Sequence, residues 1–408
     1  MRPVPVADRV SPDPDSLARI SLRDPALEPV RRRLLSGRRL GLEDGVACLE
    51  TSDVHGLAAL AHEAKRARHG NAVSYVLNRQ LNPTNLCWLS CSFCDFAAKP
   101  GDAHAYELSE KQILEAVQGE IREVHVVGGL HPRWGFDRHL EVVRILKRAR
   151  PDVQVKAYTA VEIDWFARKA RLSLEEVLGA LRDEGVETLP GGGAEVFSER
   201  VRERLFPNKI GADRWLEVHR TAHRLGLPTG ATLLYGHIET MAERVGHMLR
   251  LRELQDETGG FRAFIPLAYQ PGPGAASGTP QALSPSGAAR ARRPDRSGLP
   301  RHTTAALDDL RTIATARLVL DNVPHVKAYW IMLGLASATC ALGAGASDVD
   351  GTVGRERIAH AAGAGTPEEL TRRFLETLIC EAGAVPQERD ALYRPVAPLA
   401  GEPSQAVA

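Results

Sequence analysis

Apolar positions recur at helical spacing through residues 1–70. The clearest case is Asp53-Val-His-Gly-Leu-Ala-Ala-Leu-Ala-His-Glu-Ala-Lys, an amphipathic run behind an aspartate cap. From residue 71 the pattern changes. Short β-rich runs are each followed by an amphipathic helical run. The strands this predicts are Val73–Leu77, Glu123–Val127, Val153–Tyr158, Thr188–Leu189, Thr232–Tyr235, Ala263–Ala268 and Val326–Met332, with a weaker eighth unit near Ser347–Val353. Helical runs such as Ser109–Gln118, Asp137–Arg148, Ser173–Glu184, Asp213–Leu225, Thr240–Glu257 and Thr304–Leu320 separate them. Alternation at this spacing means parallel strands in βαβ units. Seven or eight units predict an α/β fold, a complete or nearly complete TIM-like (β/α) barrel, with a doubly wound open sheet as the alternative.

This pattern divides the 408 residues into an N-terminal helical extension (1–70), a barrel (71–365) and a C-terminal helical segment with a disordered tail (366–408). Residues 272–304 interrupt the barrel with Pro, Gly, Ala, Ser and Arg in little periodicity, and read as a mobile insertion loop. Ala328–Ala346 is apolar, but Gly334, Ser337 and Thr339 break it, so it reads as a buried strand and core helix rather than a membrane span. No apolar signal segment opens the chain, which predicts a cytoplasmic protein. Basic and acidic residues balance to a net charge of +1, which removes the broad electrostatic case for nucleic acid or an anionic membrane as partner.

Active sites of such barrels lie at the C-terminal ends of the strands. Here an unusual cluster follows nearly every expected strand. In order these are Cys87-Trp-Leu-Ser-Cys-Ser-Phe-Cys, Gly128-Gly-Leu-His-Pro, Thr159-Ala-Val-Glu, Pro190-Gly-Gly-Gly-Ala-Glu, Gly236-His-Ile-Glu and Asp348-Val-Asp-Gly-Thr. Such convergence on one face predicts an enzyme.

Cys87, Cys91 and Cys94 form C-x3-C-x2-C, whereas Cys48, Cys340 and Cys380 stand alone. A tight cluster in a long chain reads as metal binding rather than a disulfide framework. Three thiolates can bind a [4Fe–4S] cluster and leave one iron open for a ligand, by the logic of an open catalytic metal site. A Cys3His zinc site completed by His104 is the alternative. With Phe93 before the last cysteine, the motif resembles the radical S-adenosylmethionine (SAM) superfamily. That resemblance implies a [4Fe–4S] cluster on the three cysteines and SAM consumed as co-substrate. It further implies SAM contacts from Phe93, Gly128, Gly129, Glu195, Leu234 and Glu239.

Longer words narrow the resemblance. Asn82-Pro-Thr-Asn, Val127-Gly-Gly-Leu-His-Pro, Lys156-Ala-Tyr-Thr-Ala-Val-Glu-Ile, Leu189-Pro-Gly-Gly-Gly-Ala-Glu, Leu234-Tyr-Gly-His-Ile-Glu-Thr and Lys327-Ala-Tyr-Trp-Ile-Met are similar to the aminofutalosine synthases of menaquinone biosynthesis. The resemblance runs from about Asn78 to Tyr393. It implies addition of a 5′-deoxyadenosyl radical to 3-[(1-carboxyvinyl)oxy]benzoate, then rearrangement and decarboxylation to 6-amino-6-deoxyfutalosine. It also implies an electron donor such as flavodoxin or ferredoxin. A substrate with two carboxylates and a ring needs cations or backbone donors and an apolar wall. Lys156, Arg317 and Lys327 are candidate substrate partners, and His131, Glu162 and His237 are candidate catalytic groups. Lys156 has an alternative orientation toward the outer helices, because strand side chains alternate. The competing readings are dehypoxanthine futalosine cyclase or a deazaflavin-synthase-like enzyme, and, in another class, a non-catalytic Fe–S or zinc-binding protein.

Overall fold

The computed structural model describes residues 10–272, 299–300 and 303–396. Most of the 272–304 insertion and the tail beyond 396 therefore lie outside the described residues. Ten strands are present: β1 (Ala72–Val76), β2 (Asn78–Leu81), β3 (Glu123–Val126), β4 (Gln154–Ala157), β5 (Val186–Thr188), β6 (Thr229–Tyr235), β7 (Phe261–Ala268), β8 (His325–Val326), β9 (Asp348–Gly351) and β10 (Val385–Glu388). Every pairing among them is parallel.

The pairings close a ring. β1 and β2 are halves of one strand interrupted at Leu77. β2 leads through β3 and β4 to β5, and β6 through β7 to β8. Single parallel bridges, Leu189 with Thr229 and Lys327 with Asp348, stitch these arcs to each other and to β9. β9 returns to β1, and Arg79 bridges Gly354. With β1 and β2 counted together, this is a complete eight-stave barrel. β10 is an extra strand that pairs with β1 on its other side.

Helices cover the barrel because each buries one apolar stripe. Several begin with a reciprocal cap, in which a Ser or Thr side chain and an acid or amide three residues on satisfy each other's backbone N–H. Ser109, Thr159, Ser173 and Thr240 start helices in this way. The first 70 residues form part of this jacket. Asp53 accepts from Gly56 N–H at 2.9 Å and caps helix Val54–His69, which leads into β1. Arg39 donates to Asp256 and Asp321 on the barrel's outer side, and Leu17, Leu27 and Leu57 join the same apolar core as Val73.

Three expectations change. The Val326–Met332 strand ends at Val326, and Trp330–Leu333 is helical. That run is mostly buried, and a short apolar run has no period to separate strand from helix. The C-terminal segment contributes a strand as well as helix Arg372–Glu381; Val-Pro-Gln-Glu carries no alternation that would have shown β10. β6 begins three residues earlier than its apolar run, at Thr229. No helix among the described residues is long and apolar enough to cross a membrane.

Candidate active site

A cavity of about 340 Å³ runs down the barrel lumen. Cys87, Cys91, Phe93 and Cys94 share its wall with Gly128, Gly129, Glu162, Glu195 and Leu234, and with the deeper Lys156 and Lys327. The loop after β2 carries the cysteines, and its own sequence ties it down. Asn82 donates to the Val127 carbonyl at 2.8 Å, Thr84 to that of Tyr106 at 2.8 Å and Asn85 to that of His104 at 2.9 Å. Lys99 Nζ donates to the carbonyls of Cys87, Trp88 and Leu89 at 2.7, 3.1 and 2.7 Å. One ammonium thus gathers three peptide dipoles at the first cysteine. At Gly129 the chain passes so close to this loop that a Cβ would lie 2.3 Å from the Leu86 carbonyl oxygen, so glycine is required there.

The donor set fits an iron–sulfur cluster. Burial pushes the Cys91 thiol up to about 12 and raises that of Cys94, with nearby Lys209 acting in the opposite direction. A metal bound there would take the place of those protons. The three thiols share one cavity wall, which suits a multi-iron body whose irons each take their own sulfur.

Glu162 lines the same cavity as the cysteines. Its carboxylate accepts from Gly128 N–H at 2.9 Å, from Thr159 N–H at 2.8 Å and from the Thr159 hydroxyl at 2.6 Å. Burial nevertheless outweighs these donors and raises its pKa to about 7. Glu195 forms an ion pair with Lys209, and the Lys209 ammonium lies 5.3 Å from the centre of the Phe93 ring. Lys209 was not visible as a site residue. It lies 14 positions beyond Glu195, outside any strand-end word.

The lower lumen holds a buried ionic network. Lys156 Nζ donates to both oxygens of Glu123 at 2.9 Å, so it points inward and the outward alternative falls. Lys327 pairs with Asp350, which lines the cavity beside Tyr393.

Four candidates lie elsewhere. His131 is buried in its loop: Nδ1 accepts from Arg133 and Trp134 N–H at 3.1 and 2.9 Å, and Nε2 lies 3.1 Å from Glu107. His237 is held between the Leu234 carbonyl and Glu239, each at 3.0 Å. Glu239 accepts from Gly236 N–H at 2.6 Å and from Arg244 at 2.7 Å; burial pushes its pKa up, but His237 and Arg244 bring it down to about 2. Arg317 lies outside the lumen, donating to the carbonyls of Gly345 and Pro324 at 2.9 and 3.0 Å and to the Ser347 hydroxyl at 3.0 Å. None of the four lines the cavity. Each of these side chains, His131, His237, Glu239 and Arg317, is engaged in fixing a loop or helix.

Residues 81–251 match the family described as the radical SAM superfamily, and residues 295–399 match the CofH/MqnC C-terminal region. Aminodeoxyfutalosine synthase of Thermus thermophilus is 45% identical over 92% of this chain and 97% of its own length. The chain belongs to the aminodeoxyfutalosine synthase family of radical SAM enzymes. Also similar is 5-amino-6-(D-ribitylamino)uracil–L-tyrosine 4-hydroxyphenyl transferase of Methanopyrus kandleri, 37% identical over 87% of this chain and 94% of its own. The crystal structure of methylornithine synthase matches with a TM-score of 0.62 at 17% identity, covering 87% of this chain and 96% of that one, and supports the barrel alone. As a radical SAM enzyme, the chain works with a [4Fe–4S] cluster and SAM.

Proposed function

We propose that the chain adds the 5′-deoxyadenosyl group of SAM to 3-[(1-carboxyvinyl)oxy]benzoate and forms 6-amino-6-deoxyfutalosine, with loss of the enolpyruvyl carboxylate. The observation that carries this reading is the shared cavity. Cys87, Cys91 and Cys94 open onto the same lumen as the glycine turns, Glu162 and Glu195, and as the apolar wall of Leu234, Ile265 and Leu267. When bound, the cluster and SAM together supply an electron and a carbon-centred radical.

The protein's part is holding and shielding. Cys87, Cys91 and Cys94 hold the cluster, and Lys99 fixes the loop that presents them. Gly128 and Gly129 bring backbone to the lumen, where a Cβ would press on the Thr84 and Leu86 carbonyls of the cysteine loop. Phe93, Glu195 and Leu234 surround SAM, with Lys209 orienting Glu195 through their ion pair. Glu162, poised near neutrality, holds or releases a proton at its carboxylate beside Gly128. The enclosing staves keep water and stray hydrogen donors from a reactive intermediate. The reading includes a small-molecule reaction in the cytoplasm, served by a flavodoxin- or ferredoxin-type donor.

Anaerobic reconstitution with iron and sulfide, then incubation with dithionite, SAM and the enolpyruvyl benzoate, tests this by mass spectrometry. Aminodeoxyfutalosine is the expected product. Formation of 5′-deoxyadenosine alone would retain the radical chemistry and overturn the substrate.

A further inference from the structure

Among the described residues, one cation in the lumen has no anion. Lys156, Lys209 and Lys327 line the cavity, and each lies against a carboxylate of the protein, Glu123, Glu195 and Asp350 respectively. Arg262 also lines the cavity, yet among the described residues it has no ion pair, and its buried Nε has no hydrogen-bond partner. Burial lowers its pKa and no neighbour offsets that.

Arg262 is inside because β7 is bulged. Ala263, Ile265 and Leu267 line the lumen, so strict alternation would put residue 261 inside and residue 262 outside. The register breaks there: Thr229 faces Phe261, but Gly230 faces Ala263. Two residues of β7 thus oppose one step of β6, a bulge of the kind that re-aims a side chain. Phe261 is turned outward into Trp215, His219 and His223, with ring centres 6.1, 5.5 and 4.9 Å away. Arg262 takes the inward position.

A half-buried guanidinium whose Nε is buried without a partner is costly, and a planar carboxylate meets its donors two at a time. Arg262 stands at the start of β7, whereas the cysteines lie at the other end of the lumen. Six residues separate Arg262 from the end of β7, about 20 Å of strand. An anion bound by Arg262 therefore sits at the end of the ligand remote from the reacting carbon.

We propose that Arg262 forms a carboxylate subsite at the floor of the lumen, and that it binds the ring carboxylate of the aromatic substrate and sets selectivity for it. This rests on the function proposed above. The apolar stretch of Ile265 and Leu267 above Arg262 receives the ring, and the vinyl group points toward the cysteine end.

The test compares 3-[(1-carboxyvinyl)oxy]benzoate with the same ether lacking the ring carboxylate, in wild-type enzyme and in Arg262→Gln and Arg262→Lys. Iron content and circular dichroism report the fold of each variant. Wild-type enzyme should favour the benzoate at least about a hundredfold in kcat/KM, because the lesser ligand leaves the half-buried cation unpaired. Arg262→Gln should lose most of that preference, chiefly through KM, and Arg262→Lys should recover part of it. Wild-type KM and preference in Arg262→Gln would overturn the proposal, as would equal use of both ethers by wild-type enzyme should the variant not fold. Calorimetric binding of 3-methoxybenzoate separates this from failure of the assigned reaction. A tenfold or greater loss of affinity in Arg262→Gln supports the subsite even if no aminodeoxyfutalosine forms, and unchanged affinity refutes it.

Discussion

Arg389, directly after β10, reaches Asp348 at the start of β9: its Nε donates to Oδ2 at 2.5 Å and its Nη2 to Oδ1 at 3.2 Å. Both side chains are buried, Ser74 of β1 adds a 2.6 Å hydrogen bond to the same carboxylate, and the guanidinium lies 3.9 Å from the centre of the Tyr393 ring. Breaking such a pair from one side leaves a buried charge alone, at about 3–5 kcal/mol. Arg389→Ala should therefore lower stability by that amount in urea unfolding, and limited proteolysis should cut first near β10. A loss below about 1 kcal/mol would show the pair to be solvated.

Cys91→Ala should abolish the visible absorbance and bound iron of the reconstituted protein, together with 5′-deoxyadenosine formation. Circular dichroism should still report the barrel, because the thiol lies on a loop wall rather than between staves. Normal SAM cleavage by this variant would remove Cys91 from the cluster assignment.

Glu162 gives a pH signature whose sign is fixed. Its pKa rises from an ordinary 4.5 to about 7 on folding. Between those values the folded chain keeps a proton that the unfolded chain releases, so its contribution to stability declines as pH rises through the window and is flat above it. The full effect is about 3 kcal/mol by the usual conversion. Melting temperatures at pH 5 and pH 8 should differ more in wild-type protein than in Glu162→Gln. The kcat/KM profile should inflect near pH 7 only in wild-type enzyme. Parallel pH curves for the two proteins would contradict this.

Gly191 stands where β5 and β6 are joined by little more than one bridge. A Cβ there would lie 2.4 Å from the Ala231 Cα, against backbone that has no room to yield. Gly191→Ala should cost about 3 kcal/mol or more by overpacking. Broadened amide signals on both sides of that seam would report the damage, and an unchanged melting temperature would count against it.

The parallel barrel and the cysteine loop were legible because both are local patterns: alternation of period, and three thiols within eight residues. The side chains of the site were less so. His131, His237 and Glu239 occupy strand ends as the barrel rule expects, but each turns back to bond its own loop. Whether a strand-end histidine faces the lumen or its own backbone is decided by a single rotamer, which spacing does not encode. Arg317 was chosen for its charge, yet its helix turns it toward carbonyl oxygens. Arg262 was hidden for the opposite reason. Period-two alternation assigns it to the outside, and only the mismatch between β6 and β7 reverses that.

β1 receives its neighbours very late in the chain. Ala72 faces Val385, and Ser74 faces both Gln387 and Asp348. During synthesis, which lets N-terminal parts fold first, β1 leaves the ribosome more than 270 residues before either of its partners exists. Until then its backbone donors and acceptors form an open edge, and open edges invite pairing with other chains. The nascent polypeptide is thus most exposed to misassembly at its earliest strand, and a product stopped short of residue 385 would carry that bare edge permanently.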